Sequence, residues 1–160
     1  MKLILGAVGR LKAGPERDLA ARYLERARAV ARPLGFSGPQ VRELEESRAR
    51  RAEDRKAEEA KALAALLPPG ARIVALDERG ASLSSENFAA SMGKARDDGA
   101  PALALFIGGP DGLDEDIRKR AHLTLAFGAM TWPHQLVRVM AAEQIYRAIT
   151  ILSGHPYHRA

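Results

Sequence analysis

Residues 71–107, ARIVALDERGASLSSENFAASMGKARDDGAPALALFI, decide the fold class. Apart from Arg72, Ala71–Leu76 and Ala102–Ile107 are apolar, without the alternation expected of a strand that has one face in water. Between them, Leu83–Asp98 has the composition and length of a helix. Two strands buried on both faces and joined by a helix imply a parallel sheet covered by helices, an α/β architecture.

Working outward, the same grammar repeats. Lys2–Gly9 reads as a first strand. Pro15–Arg32 reads as a helix with Pro15 in its first turn, its apolar members Leu19, Tyr23, Ala27 and Val30 recurring at three or four residues. Gly35–Pro39 reads as a turn cluster and Gln40–Leu44 as a strand. Arg50–Leu67 is a charged helix stopped by Pro68-Pro69-Gly70. After Ile107 come a glycine turn, a short helix at Asp114–Ala121, a strand within Leu123–Phe127 and a long helix from His134 to about Leu152.

A chain of 160 residues with 46% hydrophobic side chains supports one core, hence one domain. It has no cysteine, which excludes a disulfide framework, a thiolate zinc site and a cysteine nucleophile, and fits a reducing cytoplasm. Leu3–Val8, interrupted by Gly6, is too short for a signal peptide and lacks a cleavage site. The longest apolar stretch, Leu136–Leu152, carries Arg138, Glu143 and Arg147, so a soluble protein without a membrane span is expected.

The net charge is +5, with 19 Arg against 6 Lys. Arginine suits bidentate phosphate contacts; the Ala- and Arg-rich composition of a GC-rich genome explains the ratio equally well. The positive sign favours a polyanionic partner. From Arg42 to Lys61 seven cations meet seven anions, a neutral, salt-bridged helix surface. Arg10–Arg32 carries seven cations against three anions and is the better RNA-facing candidate.

Chemistry-bearing segments cluster at the carboxyl ends of the expected strands, where open α/β sheets bind ligands. They are Leu76-Asp77, Ile107-Gly108-Gly109-Pro110-Asp111-Gly112, and Thr131-Trp132-Pro133-His134 running into Leu136-Val137-Arg138. Gly108 and Gly109 permit close approach of backbone to a ligand, although a plain turn reads the same way. The lysine of a P-loop and the spacing of a dinucleotide fingerprint are both missing. The tail, Gly154-His155-Pro156-Tyr157-His158-Arg159, concentrates two histidines, a tyrosine and an arginine in five residues. No carboxylate or cysteine accompanies them at a ligand spacing, so no metal is expected.

In combination, IGGPDG, TWPHQLVRVMAAEQIYRA and the terminal HPYHR closely resemble the bacterial 23S rRNA (pseudouridine-N3)-methyltransferase family of the SPOUT class. MKLILGAVGR and IVALDERG also sit where family members have them, so the resemblance spans essentially the whole chain. The chain departs from the family pattern at Asp111 (usually Glu), Gly154 (usually Asn) and Ala160 (usually acidic).

The resemblance implies a single SPOUT domain over residues 1–160, with an N-terminal α/β half to about residue 70 and a knotted, cofactor-binding half beyond it. It implies a C-terminal trefoil knot, a rarity among folds. It implies S-adenosyl-L-methionine bound by Leu76, Gly108 and the loop Phe127, Gly128, Ala129, Met130, Thr131 and Trp132. The implied substrate is 23S rRNA at helix 69 of the assembled ribosome. The implied assembly is a homodimer built on the helix from Leu136, and that helix is itself apolar on nearly all sides and so needs burial all round.

Methylating N3 of a pseudouridine requires removal of an imide proton, with alignment of the reacting atoms. His155, Tyr157 and His158 have suitable chemistry for that proton, while Arg138 and Arg159 suit a developing anion or flanking phosphates. His122 and His134 read as structural, and Glu143 and Arg147 as an intrahelical pair. Two other readings fit less well: a noncatalytic ribosome-binding factor of the same fold, and an α/β protein binding some other nucleotide, which leaves the HPYHR end unexplained.

Overall fold

The structure, a computed structural model, describes residues 1–159; Ala160, where the sequence departs from the family's acidic end, lies outside them. Five strands form one sheet: β1 (Lys2–Val8), β2 (Ser37–Leu44), β3 (Arg72–Ala81), β4 (Ala102–Ile107) and β5 (Leu123–Leu125). Their order is β2-β1-β4-β3-β5 and every pairing is parallel.

The expected α/β architecture is therefore present, and the period of two along each strand explains how it is packed. Leu3, Leu5, Leu103, Leu105, Ile107 and Val74 face one side, where they meet α1 (Pro15–Ala31), α3 (Ser85–Asp97) and α5 (His134–Ser153). Ile4, Val8, Ala104, Phe106 and Ile73 face the other, under α2 (Ala52–Ala64) and α4 (Glu115–Arg120). Burial on both faces removes the need for polar alternation. Gly6 is obligatory here, because a Cβ would lie 2.8 Å from the Phe106 ring on the neighbouring strand.

Three expectations need correction. First, the turn cluster Gly35–Pro39 is partly strand: β2 begins at Ser37, and as an edge strand it tolerates Pro39 without losing a ladder bond. Second, the buried face of α1 is Ala20, Leu24, Ala27 and Ala31, leaving Leu19 exposed. The alanines let α1 pack closely against the equally small Ala141, Ala142 and Ala148 of α5. Third, α5 does not depend on a partner for most of its burial. α1 and α3 pack along it and strand residues share its core cluster, while near its start Leu136 is exposed and Val137 and Met140 are half-buried.

β3 runs five residues beyond the expected Leu76. Leu125 pairs with Leu76 and again with Ala81, so residues 77–81 curl around β5. Gly80 lies against that strand: a Cβ there would be 2.6 Å from the Leu125 carbonyl carbon. Among the described residues, no helix is long and apolar enough to cross a membrane.

Candidate active site

Register brings the expected segments together. Ile107 pairs with Ala7 on one side and Leu76 on the other, and Leu76 pairs with Leu125, so β1, β4, β3 and β5 end side by side. A cavity of about 170 Å³ opens at the β3/β5 end, lined by Leu76, Phe127, Gly128, Met130, Thr131 and Trp132, with Asp77, Glu78, Leu125, Ala126 and Val137. Six residues expected to hold a cofactor thus face one space. The Trp132 indole N–H donates to the Phe127 carbonyl at 3.2 Å and closes the loop on itself. Met130 is 75% exposed, and a Cβ on Gly128 (φ +103°) would meet nothing within 4 Å.

Gly108 and Ala129 do not line this cavity. Gly108 is buried, and a Cβ there would lie 2.5 Å from the Gly112 carbonyl carbon. The glycines of IGGPDG let the turn fold on itself through the Gly109–Gly112 bridge. Asp111 then ties the turn to α2 by accepting from both Nε and Nη2 of Arg55, at 2.7 and 3.0 Å.

Asp77, passed over in favour of its neighbour Leu76, is the charged anchor of the cavity. Its carboxylate accepts from the Arg79 backbone and side chain and from Arg118 Nη1 at 3.0 Å. Burial pushes its pKa up, but these arginine and backbone hydrogen bonds more than offset it and hold the group at about 2. The pairing fixes the curled segment 77–81 to α4. In sequence, an Asp at the carboxyl end of a buried strand, two residues before Arg79, was the available sign.

The tail is spent on its own protomer. The Tyr157 ring packs against Tyr146 at 4.6 Å with the Arg147 guanidinium 4.8 Å over it, and its hydroxyl donates to Glu143 at 3.0 Å. Burial, with the hydrogen bonds to Tyr23 and Glu143, raises the Tyr157 pKa well above that of a free phenol. In this arrangement the Tyr157 hydroxyl is a hydrogen-bond donor to Glu143. His158 Nε2 meets Glu86 at 2.6 Å while Nδ1 faces Arg147 Nη1 at 3.3 Å. An arginine only donates, so Nδ1 accepts and Nε2 carries the proton. His155 and Arg159 are exposed, and His155 Nδ1 accepts from the Tyr157 backbone.

Glu143 pairs with Arg147 as their spacing predicts, yet it also anchors Tyr157. It lines a groove that runs past Ser85 and Met140 to Phe127 and Gly128 of the cavity loop. The tail thus docks one groove away from the cavity, without lining it.

Arg138 is a correction. It is 2% exposed, and it donates to Glu43 at 2.8 Å and to the carbonyls of Val8 and Gly9. Burial pulls its pKa down, opposed by Glu43. Glu43 also accepts from the Leu11 N–H at 2.9 Å. Arg138 therefore clamps the ends of β1 and β2 to the first turn of α5, and its Nη groups are not available to substrate. His122 exchanges hydrogen bonds with the Ile73 backbone, and His134, its pKa lowered mainly by burial, bonds the Val8 backbone. Among the described residues, no cluster of three or more His, Asp or Glu side chains suits a metal ion.

The protein-family model "Predicted SPOUT methyltransferase" matches residues 1–158. The chain is 61% identical over 160 residues to a "Ribosomal RNA large subunit methyltransferase H" from Xanthobacter autotrophicus, covering all of both chains. It is 62% identical over 159 residues to the protein of that description from Methylocella silvestris, covering 99% of each. A solved structure from Bordetella pertussis Tohama I described as "Probable Methyltransferase" shares the fold, with a TM-score of 0.51 and 17% identity over 92% of this chain and 95% of that one. With the family model spanning all but the last two residues and full-length relatives at such identity, the chain belongs to the SPOUT methyltransferase family.

Proposed function

We propose that this protein methylates N3 of a pseudouridine in 23S rRNA, on the assembled ribosome in the cytoplasm, with S-adenosyl-L-methionine as methyl donor. The observation that carries the reading is the convergence of Leu76 and the 127–132 loop on one cavity at the carboxyl end of the sheet. The relatives named above are ribosomal RNA methyltransferases, and the net charge of +5 suits an RNA partner.

The cavity fits the donor. Trp132 and Phe127 offer flat apolar surface, the space beside Gly128 is open, and Glu78, exposed on the wall, complements a cationic ligand, while Asp77 is already neutralised by Arg79 and Arg118. When bound, S-adenosyl-L-methionine supplies a methyl group on a positively charged sulfur. The chain's own part is to hold the donor in the loop, orient the uracil edge against it, and stabilise N3 as it loses its proton.

The tail supplies that last function. Tyr157 and Arg147 are donors for the developing anion, and His158 becomes able to take the proton once it leaves Arg147. Within one protomer the tail is committed to α5 and α3, so it reaches a donor cavity in a homodimer, across exposed Leu136 and half-buried Val137 and Met140 near the start of α5. Met130 and Trp132, also exposed, support such a contact. The double pairing of Leu125 with Leu76 and Ala81, and the tight seat of Gly80, support a trefoil knot in the half from residue 71 onward.

Mass spectrometry of 23S rRNA from a strain deleted for the gene tests the reading. The expected result is loss of one methyl group on a pseudouridine, restored by the wild-type gene; an unchanged methylation pattern rejects the substrate.

A further inference from the structure

The order in which strands are added reverses between the parallel neighbours β1 and β4. The connection leaving β1 runs through α1 to β2 on one side, and the connection leaving β4 runs through α4 to β5 on the other. Divergent connections from neighbouring strands leave a crevice at their carboxyl ends, the favoured ligand position of open α/β sheets. The proposed donor cavity is not there; it lies at β3/β5. The β1/β4 crevice is the larger of the two, about 450 Å³ against 170 Å³, and is lined by Gly9, Arg10, Leu11 and Lys12 after β1, Pro110 after β4, and His134 at the start of α5.

Its chemistry is that of an anion site with an apolar shelf. Arg10 and Lys12 are exposed; the ion pair of Arg10 with Glu45 is itself solvent-exposed and therefore weak. The 17-residue α1 and the 20-residue α5 both start at its edge, at Pro15 and His134, and neither has a side-chain cap. Unfilled helix starts favour an anion. Beneath them lies Arg138, 2% exposed, with its Nε buried and unpartnered among the described residues. Glu16 and Glu46 share the wall, which disfavours a multiply charged free anion and suits one diester phosphate delivered by a strand. Leu11, Pro110 and the His134 ring give a surface on which a base can rest.

Resting on the function proposed above, we infer that this crevice binds one nucleotide of the rRNA strand beside the methylated one, with Arg10 and Lys12 holding its backbone phosphate and Arg138 framing the floor. One strand, β4, separates the crevice from the strand that ends at the donor cavity, a distance of roughly 10 Å, so neighbouring nucleotides occupy the two places.

The test compares Arg10→Ala/Lys12→Ala with Lys61→Ala/Lys119→Ala, which removes the same charge from exposed positions of α2 and α4 over the other face of the sheet. Ribosome affinity is measured by co-sedimentation at several salt concentrations, donor affinity by calorimetry, and turnover separately. The crevice variant is expected to bind ribosomes about tenfold more weakly, with the slope of log K against log salt reduced by about one, and with donor affinity and kcat unchanged. The control variant is expected to stay within about twofold of wild type at physiological salt. Equal weakening in both variants, or wild-type binding by the crevice variant, overturns the inference. Because binding is read without transfer, a wild-type protein that binds ribosomes but moves no methyl group rejects the proposed reaction and leaves this result standing on its own.

Discussion

The loop 127–132 and the tail 155–158 are both short, irregular and rich in side chains that suit a reaction centre, yet the protomer treats them oppositely. The loop leaves Met130 and Trp132 in the open and surrounds a cavity, with its indole N–H fastened to its own backbone. The tail has its Tyr157 hydroxyl and both His158 ring nitrogens engaged by Glu143, Arg147 and Glu86. One half of the proposed site is formed and waiting, while the other is held in reserve on the protein's own surface.

The comparison breaks most completely at Gly80. A Cβ placed within 2.6 Å of the Leu125 backbone has no flexible side chain to displace, so Gly80→Ala is expected to cost about 3 kcal/mol and abolish donor binding; chemical denaturation and calorimetry read both. Next is Asp77. Its folded pKa of about 2 lies below the ordinary carboxylate value, so its contribution is present above about pH 4 and is lost as pH falls towards 2. Asp77→Asn is expected to lower neutral stability by about 2 kcal/mol and flatten the acid limb of stability against pH; an unchanged acid limb assigns that dependence to other carboxylates. Trp132→Ala is expected to weaken donor binding about tenfold, or about 1.4 kcal/mol, with little change in melting temperature. Tyr157→Phe sharpens the contrast from the tail side. It is expected to lower stability by about 1 kcal/mol through the lost bond to Glu143, and to lower kcat while donor affinity stays constant.

The layered α/β plan was legible because Leu3–Val8, Ile73–Leu76 and Ala102–Ile107 are apolar without alternation, and Gly, Pro and charged runs punctuate them. The 127–132 loop that surrounds the cavity was legible through its motif. Arg138 was not: an arginine beside TWPH reads as chemistry, and only the tertiary fold brings Glu43, 95 residues earlier, to neutralise it. The extension of β3 through Asp77-Glu78-Arg79-Gly80 escaped for a similar reason. Its polar residues look like a loop, and what makes them strand-like is a partner, β5, that the chain reaches more than forty residues later. The face of α1 was misread by one position because alanine carries little hydrophobic weight, yet here it is chosen for close helix approach.

The central claim is that the donor loop of one protomer works with the tail of another. A mixing experiment tests it directly: Trp132→Ala, which damages the donor loop, is combined with Tyr157→Phe/His158→Ala, which damages the tail, after denaturation and refolding together. The account predicts that methyl transfer to ribosomes recovers well above the sum of the two variants refolded alone, because mixed dimers contain one intact pairing. Activity no higher than that sum, in a mixture shown to contain mixed dimers, contradicts it.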